Sequence, residues 1–173
     1  LRLREQPFAF RAVGGSLTMH QPVDSCSQFC RRSLLRRVPY VETAGTQPEV
    51  EIVGVQPRGA PAMALSWRAR SVINTDRIDT IADGVAGRCP IPAVLDDLLA
   101  VADDVALVEE ESIKAGMRML YRHAGLVVEP SAALGIAAIV EDRSRYRGKR
   151  IATVICGGNI MPTDFERWAI GQQ

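Results

Sequence analysis

Apolar and β-branched runs alternate with segments of helical periodicity from about residue 46 onward. Residues 49–55 alternate between polar and apolar and then become apolar, and residues 105–108 form a short apolar run, so both predict strands. Residues 151–155, IATVI, contain no charge and predict a third strand that is buried on both faces.

Segments in which apolar residues recur at helical spacing lie between these predicted strands. Helices are predicted at residues 60–70, 92–101, 110–124 and 131–140. The third has the clearest pattern, with a predicted buried stripe formed by Ile113, Met117, Leu120 and Ala124. The fourth is almost entirely small and apolar, which predicts a helix buried against a sheet and capped by Ser131. Strands alternating with helices predict an α/β fold with parallel pairing.

Composition is that of one soluble globular domain, with 47% hydrophobic and 24% charged residues among 173. A net charge of +1 supplies no basic field, so nucleic acid and anionic membranes are not expected as partners. No apolar run is long enough to span a bilayer and the N-terminus lacks a signal-peptide core, which favours a cytoplasmic protein. The four cysteines are scattered and do not form a zinc-binding pattern. The strands are few, which indicates part of a domain.

Residues 1–44 differ from the rest because they show no sustained period and carry two pairs of arginines. Gly14 and Gly15 follow a short apolar patch there, where backbone N–H groups could face a phosphate, although such a sequence also suits a linker. We therefore divide the chain into an irregular segment (1–44), a folded part (45–160) and a C-terminal extension (161–173).

The end of the third predicted strand is the first candidate site. Cys156 is followed by Gly157 and Gly158, and ligands of parallel α/β sheets bind beyond the carboxyl ends of the strands. Glycines there allow backbone to approach a flat or anionic group closely. A tight turn without any ligand has the same sequence pattern, so this pattern alone does not establish a site.

Three short segments in order carry a family resemblance: TIADG (80–84), VEPS (128–131) and CGGN (156–159), preceded by IVGVQPRGAPAM (52–63). Together they resemble the C-terminal half of threonine and serine dehydratases, a group that includes serine racemase. The resemblance extends from about residue 47 to residue 159. It implies part of the three-layer parallel sheet of the tryptophan-synthase-β-like, fold type II enzymes. It also implies the cofactor pyridoxal 5′-phosphate, a small amino-acid substrate and a homo-oligomer, a dimer or tetramer, in the complete enzyme.

The resemblance implies roles for six residues. Cys156 stands where a side chain, usually serine, hydrogen-bonds the pyridine nitrogen of the cofactor, and a neutral partner of this kind favours β-elimination over transamination. Gly84 and Gly157 would bring backbone against the cofactor. Glu129 would lie near the pyridine, although an acid stabilised at a helix N-terminus explains it equally well. Gly14 and Gly15 would be a shortened remnant of the phosphate-binding loop.

Two departures from the family pattern stand out. The family's catalytic lysine has no counterpart, because Lys114 is predicted on the exposed side of a helix and Lys149 in an arginine-rich loop. Neither context desolvates an amine, so no catalytic residue is assigned and this chain alone is expected to be inactive. Gln56 and Ala62 stand where some relatives have acidic ligands for a divalent cation, so no metal is expected there.

The function implied by the resemblance is a threonine/serine ammonia-lyase, which converts a hydroxy amino acid to a 2-oxo acid and ammonia. A serine racemase or another pyridoxal-phosphate enzyme of the same fold is an alternative. So is a catalytically inactive fragment or interaction subunit.

Overall fold

The computed structural model describes residues 50–171, which form a parallel two-stranded sheet with helices packed against it. The strands are β1 (Val53–Pro57) and β2 (Asp104–Val108). The helices are α1 (Ala62–Ala69), α2 (Pro92–Val101), α3 (Glu110–Ala124), α4 (Leu134–Glu141), α5 (Arg143–Tyr146) and α6 (Pro162–Phe165), the last continuing as a π-helical turn, Glu166–Ile170. The predictions for residues 1–44, including Gly14 and Gly15, lie outside the described residues.

The sheet forms because both strands are short, mostly apolar and joined by a crossover that contains α1 and α2. They pair in parallel from Val53 opposite Asp104 to Pro57 opposite Val108. Arg58 N–H donates to the carbonyl of Val108 at 2.8 Å, which extends the pairing into the turn after β1. Parallel strands require such a crossover, and the predicted parallel α/β class is confirmed.

The main core lies between the sheet, α3 and α4. Ile113 and Met117 of α3 are fully buried and Leu120 is 3% exposed, so these members of the predicted stripe are confirmed. Ala124, in the last turn, is exposed, contrary to the prediction, because Gly125 ends the helix there with a left-handed φ of 65°. The small residues of α4 let it pack closely on α3 and the sheet.

The prediction of a third strand at residues 151–155 is wrong for the described chain. These residues have no regular secondary structure, and Val154 is 67% exposed. An apolar run becomes a strand only where a neighbouring strand pairs with its backbone. Within residues 50–171 the described pairing is between β1 and β2 alone.

Two smaller predictions also need correction. The segment predicted as a helix from Ser131 begins as a 3-10 turn, Pro130–Ala133, before α4, and Ser131 does not cap it. The segment predicted as a loop before the third strand contains α5, whose N-cap Asp142 accepts a hydrogen bond from Arg145 N–H at 3.1 Å. Among the described residues no helix is long and apolar enough to cross a membrane.

An ion-pair cluster ties the segment after α4 to the start of the sheet. Glu51 accepts from Arg145 Nη2 at 2.7 Å and from Lys149 Nζ at 2.6 Å. Arg145 also pairs with Asp104 at the start of β2. These hydrogen bonds, to Lys149 first and then to Arg145, lower the pKa of Glu51 to about 2.

The turn after β1 approaches the loop before the 3-10 turn Asp83–Val85 very closely. A methyl group on Gly59 would lie 1.7 Å from the carbonyl oxygen of Asp79, whereas one on Gly87 would meet nothing within 4 Å. We expect Gly59→Ala to lower the free energy of unfolding by about 1–3 kcal/mol, because backbone must move. Gly87→Ala should leave it unchanged or raise it by up to about 1 kcal/mol. Urea denaturation of both variants tests this, and equal stabilities would contradict the close approach.

The ion-pair cluster predicts a pH-dependent stability. Because the folded-state pKa of Glu51 is lowered from 4.5 to about 2, its contribution is fully present above about pH 4.5 and is lost as the pH falls toward 2. The melting temperature of Glu51→Gln should therefore lie below that of the unsubstituted chain at pH 7, and the difference should shrink below pH 4.5. Asp76→Asn, an exposed acid outside the cluster, is the control. A difference that stays constant from pH 7 to pH 3 would contradict the prediction.

Candidate functional site

A long irregular loop carries Gly84 into the candidate site. Asp79 N–H donates to the carbonyl of Gly59 at 2.9 Å, and Ile81 N–H donates to Glu110 Oε2 at 2.9 Å. Ala82 is fully buried in the core. These anchors place Gly84 against Ser131, where a methyl group on Gly84 would lie 2.8 Å from Ser131 Oγ.

Glu129 is positioned by the extended segment that follows α3. Its N–H donates to the carbonyl of Gly157 at 3.2 Å, so the two segments run side by side. Its carboxylate lies against Gly157, where a methyl group would be 2.5 Å from Glu129 Oε1. The neighbouring Val128 is 2% exposed, and this burial directs Glu129 toward the opposite side of the segment.

Four of the six predicted site residues therefore come together, although they are far apart in sequence. Gly84 contacts Ser131, Glu129 lies two residues before Ser131, and Gly157 and Cys156 lie against Glu129. Gly14 and Gly15 lie outside the described residues. The third predicted strand is absent, but the glycines after it still bring Cys156 to this place.

We call Gly84, Glu129, Cys156 and Gly157 the site cluster. The charges that act on its titratable groups, those of Glu129 and the neighbouring Asp83, are acidic. Burial raises the pKa of Glu129, a hydrogen bond from the backbone N–H of Asn159 opposes this rise, and the nearby charge of Asp83 adds to it. Partial burial raises the pKa of the Cys156 thiol, and the charge of Glu129 raises it further. Cys156 is thus a protonated thiol at neutral pH, which is a neutral hydrogen-bonding group.

These residues fit a flat heteroaromatic cofactor. Gly84 and Gly157 leave no room for side chains of their own, and the exposed Cys156 presents a neutral thiol beside them. The hydroxyl of Ser131 is buried and has no hydrogen-bond partner among the described residues. A buried polar group of this kind usually has a partner, so Ser131 is a further candidate site residue, although its place in the sequence predicts only a helix cap.

Both lysines of the chain are held in ion pairs with glutamates. Lys114 Nζ lies 2.6 Å from Glu111 Oε1 and Lys149 Nζ lies 2.6 Å from Glu51 Oε2. The side chain of Lys114 is only 19% exposed, so its predicted position on an exposed helix face is wrong. Its partner Glu111 lies three residues earlier on α3, where the two side chains face each other.

Gln56 and Ala62, where no metal is expected from the sequence, both contribute to the start of α1. Gln56 is buried and its Oε1 accepts a hydrogen bond from Ala64 N–H at 2.9 Å, in the first turn of α1. Ala62 is fully buried at the first position of that helix. Within residues 50–171 there is no group of three or more histidine, cysteine or acidic side chains placed to hold a metal ion.

A family model described as "Pyridoxal-phosphate dependent enzyme" matches residues 39–157. The chain belongs to this family. Its cofactor is pyridoxal phosphate, and the match covers the segments 52–63, 80–84 and 128–131 completely and ends within the fourth, at Gly157. The solved structure of the processed form of threonine deaminase isoform 2 from Solanum lycopersicum superposes with a TM-score of 0.68 at 26% identity, over 72% of this chain and 37% of that one. This similarity confirms the predicted fold type II architecture.

Two curated relatives illustrate the range of the family. L-threonine ammonia-lyase of Thermotoga maritima is 34% identical over 113 residues, which cover 65% of this chain and 28% of that protein. Serine racemase of Arabidopsis thaliana is 34% identical over 122 residues, which cover 66% of this chain and 36% of that protein. The matched region thus spans 28% of the length of one relative and 36% of the other.

The interaction of Glu129 with Cys156 predicts how fast the Cys156 thiol is alkylated. Glu129→Gln removes one of the two causes that raise the thiol pKa, so more thiolate should be present at a given pH and alkylation by iodoacetamide at pH 8 should be faster. Cys89, which is exposed elsewhere on the same chain, is an internal control and should react at an unchanged rate. Peptide mapping by mass spectrometry separates the two. An unchanged rate at Cys156 would show that Glu129 does not act on the thiol.

Proposed function

We propose that this chain is part of the cofactor-binding domain of a pyridoxal-phosphate-dependent threonine/serine ammonia-lyase. One observation carries the proposal: Gly84, Glu129, Cys156 and Gly157 meet in one place although they are separated by up to 73 residues (157 − 84). A relative named L-threonine ammonia-lyase supports the substrate class. The reaction would convert a hydroxy amino acid to a 2-oxo acid and ammonia.

Each residue of the site would have a different role in binding the cofactor. Gly84 and Gly157 would allow backbone to lie against the ring. The protonated thiol of Cys156 would face the pyridine nitrogen as a neutral partner, and partial burial and the charge of Glu129 both raise the pKa of that thiol. When bound, pyridoxal phosphate supplies an electron sink for the substrate carbanion.

The organisation of the whole protein belongs to the same proposal. Residues 45–160 would form part of the large cofactor domain, residues 161–173 a C-terminal extension, and residues 1–44 an irregular segment in which Gly14 and Gly15 remain from the phosphate loop. The complete enzyme would be cytoplasmic and a homo-oligomer, a dimer or tetramer. A serine racemase is the second candidate, because the Arabidopsis relative with that name is 34% identical over 66% of the chain.

We further propose that this chain, taken by itself, binds the cofactor without catalysing the reaction. The supporting observation is the position of its two lysines, whose amines are both paired with glutamates outside the cluster. A lysine that binds the cofactor covalently needs a lowered pKa, which burial or a neighbouring cation provides. Each amine instead lies 2.6 Å from a glutamate oxygen, Lys114 from Glu111 and Lys149 from Glu51.

Titration of the purified chain with pyridoxal phosphate tests both proposals. We expect reversible binding, seen as a change in cofactor fluorescence and lost on dialysis. Gly157→Val should weaken it at least about tenfold because the added side chain displaces Glu129, whereas Gly87→Val, at an open position, should not. Binding that is absent, or equal in both variants, would overturn the proposed site.

The same samples decide whether the chain is inactive. After borohydride reduction, mass spectrometry should find no cofactor attached to Lys114 or Lys149, and incubation with threonine or serine should release no 2-oxo acid. A reduced adduct on either lysine, together with 2-oxo acid release, would contradict the proposal of inactivity. Release of D-serine from L-serine would instead favour the racemase.

A further inference from the structure

The loop that carries Gly84 has little structure of its own. Between the end of α1 at Ala69 and the start of α2 at Pro92, its regular element is the 3-10 turn Asp83–Val85. The position of Gly84 therefore depends on how neighbouring elements hold this loop. Gly59 anchors it through Asp79, as described above, but that contact lies five residues before Gly84.

Glu110 provides an anchor closer to the site. It is the first residue of α3, and its Oε2 accepts a hydrogen bond from Ile81 N–H at 2.9 Å. Glu109 and Glu111, its neighbours in sequence, are engaged elsewhere, Glu109 with Arg58 and Glu111 with Lys114. Of the three consecutive glutamates, Glu110 is the one whose side chain bonds the loop.

The path from this anchor to Gly84 is short and rigid. Ala82, the next residue after Ile81, is fully buried, and its N–H donates to Thr80 Oγ1 at 3.1 Å. The carbonyl of Ala82 accepts from Val85 N–H at 3.2 Å, which closes the turn around Gly84. A displacement of Ile81 would therefore move Gly84 with it.

The two oxygens of the Glu110 carboxylate differ in their contacts. Glu110 Oε1 is buried and has no hydrogen-bond partner among the described residues. A buried carboxylate oxygen without a donor is costly. Among the described residues, the hydrogen bond from Ile81 N–H to Oε2 is the contact that offsets the burial of this carboxylate.

We propose that Glu110 is a positioning residue that holds Ile81 and thereby fixes Gly84 against Ser131 in the cofactor site. It acts through the loop and does not itself touch the cofactor. The link to the cofactor rests on the proposed function; the tether between α3 and the loop does not.

Hydrogen exchange measured by NMR tests the tether without any cofactor. Glu110→Asp keeps the charge at the start of α3 but shortens the side chain by one bond, about 1.5 Å. We expect the Ile81 amide to exchange about tenfold faster or more in this variant, because a hydrogen bond to a charged group is lost. Glu110→Gln retains an acceptor and should restore slow exchange. Glu111→Asp, the matched control one position away, should leave Ile81 unchanged.

The amide of Leu120, in the buried part of α3, reports global opening in the same spectra. Faster exchange at Ile81 with unchanged exchange at Leu120 supports a local tether. Equal acceleration of both amides, or an unchanged rate at Ile81, would overturn the proposal.

Titration with pyridoxal phosphate then tests whether the tether positions the site. The dissociation constant should rise about tenfold in Glu110→Asp and return toward the original value in Glu110→Gln, with no change in Glu111→Asp. A loosened loop with unchanged affinity would overturn the positioning role. If the unsubstituted chain does not bind the cofactor but the exchange results hold, the proposed function fails and the tether stands.

Discussion

The contact between the segment that ends in Glu129 and the glycines after Cys156 is the interaction on which the candidate site depends. Glu129 N–H bonds the carbonyl of Gly157, and its carboxylate occupies the space that any side chain on Gly157 would need. A hydrogen bond and a steric requirement therefore act at the same place. Together they bring a carboxylate and a thiol that are 27 residues apart in sequence (156 − 129) next to each other.

The packing of α3 against α4 fixes the position of this contact. The extended segment that carries Glu129 begins where Gly125 ends α3 and continues into the turn that starts α4. Both helices are anchored in the main core by side chains such as Ile113 and Ile136. Because close-packed cores transmit displacement, the position of Glu129 is set by helices whose own residues do not belong to the site.

The electrostatics of the cluster follow from its setting. Burial and then the charge of Asp83 raise the pKa of Glu129, and burial and then the charge of Glu129 raise the pKa of the Cys156 thiol. Three basic side chains within residues 50–171 are used elsewhere: Arg145 and Lys149 join the sheet to the segment after α4, and Lys114 pairs along α3. The structure thus separates the acidic site from the ion pairs that support the fold.

The sequence by itself determined the local structure wherever side-chain pattern and local capping suffice. Helix α3 agrees with its predicted bounds because its apolar spacing and its terminal Gly125 act within a few residues. The ordered segments around Gly84, Glu129 and Cys156 likewise identified the family, because their residue types are tied to chemistry.

Only the tertiary structure decided what depends on distant neighbours. Residues 151–155 have the composition of a buried strand, but strand formation requires a pairing partner, and the described residues place none beside them. Ser131 was assigned to a helix cap, yet the approach of Gly84 from a separate loop determines its surroundings. Glu110 has no sequence feature that distinguishes it from Glu109 and Glu111. Its contact with Ile81 exists because the packing of the loop against α3 brings them together, 29 residues apart in sequence.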